Sequence, residues 1–435
     1  MLQPIRIGLC GLGTVAQGTL AVLRRNQSEI ERRIGRPIQV TRVGTRSDKP
    51  GVDLTGLQVD RNVLDVATAD DVDIVVELIG GHDVAKDIVM NAVKAGKGVV
   101  TANKALIAVH GNEVFKAARE AGVMVAFEAA VAGGIPIIKA VREGLSANRI
   151  QWLAGIINGT GNFILTEMTE KGRAFDDVLA EAQALGYAEA DPTFDVEGID
   201  AAHKLTILAS IAFGIPLQFD QCYTEGISQL TPLDIEKAAQ LGLRVKHLGI
   251  ARKTDAGIEL RVHPTMMPKD HLLSNVNGVL NALHVQGDAV GPTTYTGPGA
   301  GGEPTASAVV ADIVDVARTL TADPQNRVPH LAFQFSHLSE EPILDITQVE
   351  TGFYLRLQVQ DHPGVLAEIT GVLGGHGISI ESLVQERQTE AHDSVPVIIL
   401  TGSVQEQKMD AALAEIQGLS SVHQPAVKVR VESLS

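Results

Sequence analysis

The stretch IRIGLCGLGTVAQGTLAVLRRN, residues 5–26, decides how the first part of the chain folds. A short run rich in β-branched residues passes through Gly11 and Gly13 into the apolar spacing of a long helix that begins near Thr14. Together with Ala16 the glycines form the pattern G-x-G-x-x-A. Because a pyrophosphate reaches the N–H groups at a helix start only where no Cβ intervenes, the pattern predicts a dinucleotide-binding turn. The alternative is a strand-to-helix turn with a purely structural role.

We expect the glycine turn to supply most of the cofactor contacts, through Gly11, Leu12, Gly13, Thr14 and Val15. The next strand, PIQVTRVGTRSDK (37–49), ends with Arg46, where a site for NAD usually offers an Asp or Glu to the ribose hydroxyls. A guanidinium suits a 2′-phosphate, so the pattern favours NADP and leaves NAD possible. Asp48 weakens this preference, and a solvated arginine in a turn is the alternative.

Alternation of strands and helices continues to about residue 134, through VDIVVELIGG (72–81), GKGVVTANKAL (96–106) and GVMVAFEAAVAGG (122–134). This alternation indicates a doubly wound parallel sheet, in which ligands meet the carboxyl ends of the strands. Lys104 falls at such an end. A lysine there can orient a carbonyl oxygen or a carboxylate, although the pattern alone favours a surface lysine.

The composition of the chain narrows the class of protein. A length of 435 residues exceeds one hydrophobic core, so two or three domains are expected. Lys and Arg number 36 against 52 Asp and Glu, without a basic stripe, so we expect neither nucleic acid nor a membrane as partner. No apolar run approaches a membrane-spanning length, and the start has no leader-like arrangement. Only Cys10 and Cys222 are present, which fits a reducing cytoplasm.

The stretch GYAEADPTFDVEGIDAAHK, residues 186–204, concentrates carboxylates ahead of Lys204. Asp200 and Lys204 stand four residues apart, on one face of a predicted helix. A surface ion pair would explain this spacing and would contribute only about a few tenths of a kcal/mol. A catalytic pair would explain it equally, because a carboxylate can tune and aim an amine for proton transfer. The spacing leaves both interpretations open.

The pattern A-x3-G-x4-D-P-x2-D-x2-G-x-D-x3-K over 182–204 resembles the signature of homoserine dehydrogenases. The resemblance extends over nearly the whole chain, through TANKAL (101–106), GIINGTGNFIL (155–165) and GPGAGGEPTASAVVADI (297–313). It implies reversible, nicotinamide-dependent reduction of aspartate 4-semialdehyde to homoserine, on the path to threonine, methionine and isoleucine. The alternatives are a non-catalytic amino-acid sensor and a Rossmann reductase of a different semialdehyde. A bifunctional enzyme with aspartokinase activity is not expected, because the chain begins at the glycine turn.

The resemblance implies roles for particular residues. Lys204 would protonate the alkoxide as hydride arrives and act as the base in the reverse direction, and Lys104 would polarise the carbonyl. Which of the two lysines transfers the proton stays open, because either pKa can be lowered by its surroundings. Glu189 and Asp200 would bind the ammonium or hydroxyl end of the substrate, and Gly186 would supply a backbone contact.

The resemblance also implies a monovalent cation, usually sodium, bound by the segment FEAAVAGGIP (127–136). Its ligands would be Glu128 and the backbone carbonyls of Val131, Gly133 and Ile135. Oxygen ligands suit a hard cation, but a glutamate at a strand end has structural explanations too. The second glycine-rich turn would place Gly302 and Glu303 beside the cofactor, with a helix near 303–320 packing back on the first domain.

A separate C-terminal module begins with GFYLRLQVQDHPGVLAEITGVLGGHGISIESLVQER (352–387) and resembles an ACT domain of order β-α-β-β-α-β. ACT modules bind small amino acids at the strand–helix turn, here 361–366, so the resemblance implies feedback by threonine. The alternative is a dimerisation module that binds nothing. The prediction is therefore an α/β protein, a cytoplasmic homodimer or homotetramer, with four parts: a Rossmann-like dinucleotide-binding domain (1–134), an α+β catalytic and dimerisation domain (135–320), a linker (321–350) and a ferredoxin-like ACT domain (351–435).

Overall fold

The structure is a computed structural model that describes residues 3–47, 49–320, 330–331, 338–385 and 394–434. Asp48 and most of the first half of the predicted linker therefore lie outside the described residues. The chain divides into two compact units. The first unit comprises Met1–Gly159, Asp200–Cys222 and Val279–Glu341, and the second comprises Thr160–Ile199, Tyr223–Gly278 and Pro342–Ser435.

The described strands, in chain order, are β1 (Ile5–Cys10), β2 (Ile38–Gly44), β3 (Gln58–Asp60), β4 (Ile74–Glu77), β5 (Gly98–Thr101), β6 (Val125–Ala126), β7 (Ile150–Ile156), β8 (Tyr223–Thr224), β9 (Leu243–Thr254), β10 (Gly257–Pro268), β11 (Leu280–Gly287), β12 (Gly291–Pro298), β13 (Glu350–Gln360), β14 (Ile380–Gln385), β15 (Ser394–Gln405) and β16 (Val427–Val431). The described α-helices are α1 (Thr14–Arg25), α2 (Gln27–Ile34), α3 (Val63–Thr68), α4 (Asp83–Lys94), α5 (Lys104–Ala121), α6 (Ile137–Lys139), α7 (Gly159–Lys171), α8 (Phe175–Ala184), α9 (Thr193–Val196), α10 (Ile199–Phe213), α11 (Pro232–Gln240), α12 (Gly302–Thr319), α13 (Val365–Gly375) and α14 (Glu406–Gln417).

The first unit contains a six-stranded parallel sheet in the order β3-β2-β1-β4-β5-β6. This order reverses direction at β1, and ligands of doubly wound sheets bind at the carboxyl ends of the strands at that point. Strands β4 and β5 are buried along their whole length, as their continuous apolar runs predict. The sheet therefore places the glycine turn, Glu77 and Lys104 at one edge.

Two close backbone approaches explain why glycines are needed near the start of α1. Gly11 has a φ of +103°, and a Cβ there would stand 2.7 Å from the carbonyl oxygen of Leu78. A Cβ on Gly18 would stand 2.6 Å from the carbonyl oxygen of Gly302. Helix α12 thus packs directly on α1, and its residues Ala306, Val309 and Ile313 join the core beneath the parallel sheet.

The first unit also contains an antiparallel set in which β11 pairs with β7 and with β12. A Cβ on Gly155 would stand 2.7 Å from the carbonyl oxygen of Ala282, so the β7–β11 contact requires a residue without a side chain. Helix α10 is buried on nearly every side, in keeping with its apolar composition. A buried helix can carry charged side chains only where these find partners, which makes Asp200 and Lys204 informative.

In the second unit, β10 pairs antiparallel with β9 and parallel with β8 and β16. Strand β13 pairs with both β16 and β15, and β14 pairs with β15. Helices α13 and α14 cover one face of these strands through the cluster that includes Leu355, Ile369 and Met409. The order β13-α13-β14-β15-α14-β16 is the ferredoxin-like arrangement. No helix within the described ranges is long and apolar enough to cross a membrane.

Candidate active site

Two lysines and one aspartate form a buried ion cluster in the first unit. The carboxylate of Asp200 is 6% exposed; its Oδ2 lies 2.6 Å from Lys204 Nζ, and its Oδ1 lies 3.1 Å from Lys104 Nζ. Asn158 Nδ2 donates to the same Oδ2 at 2.9 Å. Lys204 Nζ also donates to the backbone carbonyl of Ile157 at 2.7 Å. One carboxylate therefore positions both amines.

These side chains come from three places in the fold: α5, α10 and the segment after β7. Lys104 is the first residue of α5, just beyond the carboxyl end of β5. Asn103 caps that helix, because its Oδ1 accepts the N–H of Leu106 at 3.0 Å. Asp200 and Lys204 lie one turn apart on α10, and Asn158 follows the end of β7. The capped start of α5 and the buried α10 hold the two lysines on rigid structure.

The cluster keeps Asp200 ionised. Burial alone would favour the neutral acid, but the charges of Lys204 and Lys104 and the donated hydrogen bonds outweigh burial and hold the pKa of Asp200 well below its usual value. The side chain of Lys204 is 12% exposed and that of Lys104 is 33% exposed. Lys204 is thus the more enclosed amine, and Lys104 the more accessible one.

His203 lies beside this cluster and does not contribute a charge at neutral pH. His203 is buried, and its ring centroid lies 4.2 Å from that of the half-buried Phe219. Burial and the nearby charge of Lys104 lower the pKa of His203 to about 4. The cationic groups next to Asp200 are therefore the two lysines.

The predicted cofactor turn lies at the carboxyl edge of the parallel sheet. Helix α1 begins directly after Gly13 and has no acidic residue in its first turn, which leaves backbone N–H groups for an anion. Arg46 is exposed, two residues beyond the end of β2. The structure thus brings the glycine turn and the end of β2 to the same edge, because β1 pairs with β2.

Glu77 ends β4 at this edge and is fully buried. Its carboxylate accepts hydrogen bonds from the N–H of Ile79 at 2.7 Å and from the hydroxyl of Thr101 at 2.6 Å. Burial raises the pKa of Glu77 to about 7, and the neutral donors around it only partly oppose that rise.

The predicted cofactor residues of the second glycine turn lie at the start of α12. Gly302 packs against α1, where Thr14 Cγ2 would lie 3.2 Å from a Cβ on Gly302. Glu303 forms a two-pronged ion pair with Arg25, with both N···O distances at 2.9 Å and both side chains more than half exposed. This pairing gives Glu303 a role in joining α12 to α1, and its cofactor contact stays a prediction.

The predicted cation segment surrounds a buried carboxylate. Glu128 accepts the N–H groups of Ile138 at 2.8 Å and Lys139 at 2.9 Å, and its own N–H donates to Asp312 at 2.7 Å. Burial raises the pKa of Glu128, and burial together with the charge of Glu128 raises that of Asp312. Two buried carboxyl groups with incomplete neutralisation suit a hard monovalent cation.

The remaining predicted cation ligands lie in the tight turn after Glu128. Gly133 has a φ of +37°, and the carbonyl oxygen of Ile135 accepts the N–H of Ile137 at 2.7 Å. Val131 is buried in the same turn. Within the described part of the chain, no group of three or more His, Cys, Asp and Glu side chains is arranged for a metal ion. A cation here would depend on backbone oxygens.

Two predicted substrate residues belong to the second unit. Gly186 follows α8 with a φ of +76°, and its N–H donates to the carbonyl of Gln183 at 3.0 Å. Glu189 is exposed, and its backbone carbonyl accepts the Gln183 side chain at 3.0 Å. The roles of Gly186 and Glu189 in substrate binding stay predictions.

Sequence reasoning did not assign two polar residues of this site. Asn158 stands in the polar NGTGN turn, where a helix cap and a site residue have the same appearance. Glu77 interrupts the apolar strand VDIVVELIGG, and a lone carboxylate at the end of a buried strand is a signal that could have identified it.

A parallel sheet reversing at β1, a glycine turn before α1 and a buried lysine–aspartate–lysine cluster at the same edge define a dinucleotide-dependent oxidoreductase. The chain matches the family model "Homoserine dehydrogenase" over residues 136–314, the model "Homoserine dehydrogenase, NAD binding domain" over 11–128 and the model "ACT domain" over 353–418. The chain therefore belongs to the homoserine dehydrogenase family.

Relatives agree over the full length. The chain is 62% identical to a homoserine dehydrogenase of Pseudomonas aeruginosa and 52% identical to one of Neisseria gonorrhoeae, each covering 100% of both chains. Among solved structures, a homoserine dehydrogenase of Thiobacillus denitrificans superposes with a TM-score of 0.95 at 59% identity, covering 100% of this chain and 99% of that one. A hyperthermophilic archaeal homoserine dehydrogenase in complex with NADPH has a TM-score of 0.62 at 28% identity, covering 74% of this chain and 99% of that one.

These findings confirm the predicted fold class, family and type of enzyme. The chain is an NAD(P)-dependent oxidoreductase of the homoserine dehydrogenase type, with a Rossmann-like NAD(P)-binding domain, a catalytic domain and a C-terminal ACT domain. Homoserine dehydrogenase activity belongs to amino-acid biosynthesis and acts on a small-molecule substrate.

Proposed function

We propose that Lys204 is the proton-transferring residue in the reversible reduction of aspartate 4-semialdehyde to homoserine. The observation that carries this proposal is the enclosed position of its amine, held between Asp200 and the carbonyl of Ile157. When bound, the nicotinamide supplies the hydride that adds to the aldehyde carbon. Lys204 Nζ then donates a proton to the carbonyl oxygen, and in the reverse direction it takes that proton from the hydroxyl.

Lys104 has a different proposed role, because its amine is more exposed and faces the other oxygen of Asp200. It polarises the aldehyde oxygen and so stabilises the negative charge that develops there. Asp200 orients both amines, and Asp200, Glu189 and the backbone of Gly186 bind the ammonium or hydroxyl end of the substrate. The division of labour rests on exposure: the enclosed amine transfers the proton, and the accessible amine meets the substrate.

The proposed cofactor is NADP, held by Gly11, Leu12, Gly13, Thr14 and Val15, with Gly302 and Glu303 beside it. Arg46 supports the choice of NADP, because its exposed guanidinium at the end of β2 suits a 2′-phosphate. The archaeal relative solved with NADPH points the same way.

Cofactor choice and activity are tested together by absorbance at 340 nm with homoserine and either NADP or NAD. The native chain should prefer NADP, and Arg46→Gln should reduce kcat/KM for NADP about 10-fold while leaving the value for NAD nearly unchanged. Lys49→Gln, at an exposed lysine of the same turn, is the matched control. A native chain without signal on either cofactor would contradict the proposed reaction and favour a non-catalytic sensor.

A monovalent cation, sodium by preference, is proposed at Glu128 and the carbonyls of Val131, Gly133 and Ile135. Support comes from two buried carboxyl groups whose charge the neighbouring Lys139 only partly balances. When bound, the cation supplies positive charge that stabilises this turn. Melting temperature should rise when sodium replaces a bulky organic cation, and Glu128→Gln should remove that rise.

Regulation and assembly complete the proposal. We propose feedback by threonine through the ACT domain, a cytoplasmic location and a homodimer or homotetramer. The match to an ACT domain over 353–418 and the ferredoxin-like order of its elements support binding of a small amino acid. Inhibition by millimolar threonine and light scattering at micromolar protein concentration test these points; an unchanged rate or a monomer would contradict them.

A further inference from the structure

Asn281 of β11 carries an enclosed amide for which the described part of the chain supplies no hydrogen-bond partner at either Nδ2 or Oδ1. The residue is 1% exposed. Nearly all buried polar groups of folded proteins are paired, because an unpaired group has given up its hydration without a replacement. A leucine of the same branched shape would avoid that cost, so packing alone does not explain an asparagine here.

The amide lies against two glycine-rich turns of the first unit. A Cβ on Gly299 would stand 2.1 Å from Asn281 Cγ, and a Cβ on Gly159 would stand 3.8 Å from its Oδ1. Gly299 belongs to the turn 297–302, which leads into α12. Gly159 directly follows Asn158, the amide donor of the buried ion cluster. One side chain therefore stands between the predicted cofactor-side turn and the turn next to the reacting lysines.

The turn 297–302 is held at both of its ends. At the first end the carbonyl of Pro298 accepts the N–H of Gly134 at 3.0 Å. At the other end the start of α12 packs directly on α1. The middle part, 299–301, includes Gly301 with a φ of +127°, a region of backbone conformation that glycine enters readily. The unpaired amide lies against this middle part, where the backbone has the most freedom to shift.

We propose that Asn281 is a positioning residue for the cofactor: in the cofactor-bound protein the 299–301 backbone hydrogen-bonds the Asn281 carboxamide, which holds the turn beside the dinucleotide. The inference rests on the proposed cofactor-side role of the second glycine-rich turn. Because both polar atoms of the amide are enclosed, Asn281 acts through the turn and not on the dinucleotide itself.

This role predicts opposite effects on stability and on cofactor affinity. The free protein carries the cost of the unpaired amide, and the cofactor-bound protein recovers a hydrogen bond, so the amide favours the bound arrangement of the turn. Asn281→Leu removes the polar atoms and keeps the branched shape. Its melting temperature without cofactor should equal or exceed that of the native chain, because an apolar group replaces an unpaired polar one. Its dissociation constant for NADPH should rise about 10-fold, because the bound state loses a hydrogen bond.

The test is fluorescence titration of the full chain with NADPH and with NADH in the absence of substrate, together with thermal melting in the absence of cofactor. Asn148→Leu is the matched control, because the amide of Asn148 is paired: its Oδ1 accepts the N–H of Val290 at 2.9 Å, and its Nδ2 donates to the carbonyl of Leu145 at 3.2 Å. The control should lower the melting temperature and leave the dissociation constant unchanged. In the homoserine assay Asn281→Leu should raise KM for NADP with little change in kcat.

An unchanged dissociation constant in Asn281→Leu would overturn the inference and leave the proposed cofactor site intact. A native chain that binds neither cofactor would overturn both. If Asn281→Leu is less stable as well as weaker in binding, Gly299→Ala decides, since its new methyl group would stand 2.1 Å from Asn281 Cγ. Gly299→Ala should weaken NADPH binding, and adding Asn281→Ala should restore part of the affinity by removing the obstacle. Native affinity in Gly299→Ala would count against the inference.

Discussion

Asp200 and Glu77 are two buried carboxyl groups of the same unit, and they have opposite protonation behaviour. Asp200 meets two ammonium groups and an amide, and its pKa is held well below the usual value. Glu77 meets the backbone N–H of Ile79, the hydroxyl of Thr101 and the side chain of Asn103, all neutral, and burial raises its pKa to about 7. Burial is common to both, so the charge of the partners decides the ionisation state.

Asp200 is therefore a group that orients neighbouring charges, whereas Glu77 is a group that can keep its proton near neutral pH. An ionised Asp200 orients the amines of Lys104 and Lys204, which lie 3.1 and 2.6 Å from its two oxygens. With its pKa raised to about 7, Glu77 carries less negative charge near neutral pH than an ordinary glutamate, which suits an edge where a phosphate-bearing cofactor binds. Four changes test or refine this contrast, beginning with the largest expected effect.

Removing the enclosed amine should have the largest effect. Lys204→Ala is expected to lower kcat for homoserine oxidation by about 10²–10⁴-fold, because a positioned acid–base group contributes that much. KM should change far less, since Asp200 and Lys104 remain. The measurement is the initial rate at 340 nm across a range of homoserine concentrations.

The control for this variant is Lys116→Ala, at an exposed lysine of α5. It should retain the native rate. A Lys204→Ala enzyme within threefold of the native kcat would show that the proton moves through another group, and Lys104→Ala would then be expected to carry the large loss.

Neutralising the shared carboxylate should be the next largest effect. Asp200→Asn removes the counter-charge of both lysines while keeping a side chain of the same shape. We expect kcat to fall about 10²-fold, because a positioned acid–base group contributes about 10²–10⁴-fold and an asparagine no longer holds the amine of Lys204 as tightly. Asp191→Asn, at an exposed carboxylate of the same acidic stretch, is the control, and equal losses in both would refute a specific role for Asp200.

The Glu77 half of the contrast predicts a pH-dependent stability. In the folded protein the carboxyl group of Glu77 keeps its proton up to about pH 7, whereas an ordinary glutamate releases its proton near pH 4.5. Between these two pH values the folded state therefore binds more protons than the unfolded chain. Stability therefore declines as pH rises through that window. The full shift corresponds to about 3 kcal/mol, since one pKa unit is about 1.4 kcal/mol.

Glu77→Gln should remove this dependence, because its amide stays neutral and can still bond to Ile79 and Thr101. We expect the variant to gain stability relative to the native chain at pH 8 and to gain little at pH 5, measured by urea unfolding at both values. Glu120→Gln, at an exposed residue of α5, should show no such difference. If Glu77 instead made the native chain more stable at pH 8 than at pH 5, relative to Glu77→Gln, the raised pKa assigned to Glu77 would be wrong.

The smallest of the four effects concerns Asn158, which acts through Asp200 rather than on the substrate. Asn158→Ala removes one neutral donor to Oδ2 and should reduce kcat about 10-fold, in line with a net loss of about 1–1.5 kcal/mol for one hydrogen bond. Asn158→Ser restores a donor and should recover part of the rate. A change in KM alone would indicate direct contact with the substrate instead.

The local parts of the fold were predictable because their causes are local. The G-x-G-x-x-A turn predicted that α1 begins at Thr14, and the helix does begin there. Position 11 requires glycine because its φ is positive and a side chain there would clash with the backbone of Leu78. Asp200 and Lys204 share one face of α10 because four residues make about one helical turn. In both places the spacing of the residues along the sequence directly sets their relative positions in the structure.

Other parts depended on which distant segments meet. The resemblance implies a cofactor contact for Glu303, and the structure adds an ion pair with Arg25 across the α1–α12 contact that the sequence did not indicate. From the sequence, Asn158 could either line a site or cap a helix. In the structure its amide donates to Asp200 of α10. A polar side chain takes whichever partner the packing provides, and the sequence does not state that partner.

By itself the sequence determined the order of the elements, the glycine turn, the signature stretch and the ACT module, because hydrophobic period, backbone freedom and spacing act over a few residues. Only the tertiary structure decided that Lys104, from the first helix after β5, reaches the same carboxylate as Lys204. It also decided that the hydrogen-bond partners of Glu77 among the described residues are neutral. These outcomes arise from long-range packing, where burial sets the cost of a charge and the neighbours brought in by the fold determine whether that cost is offset.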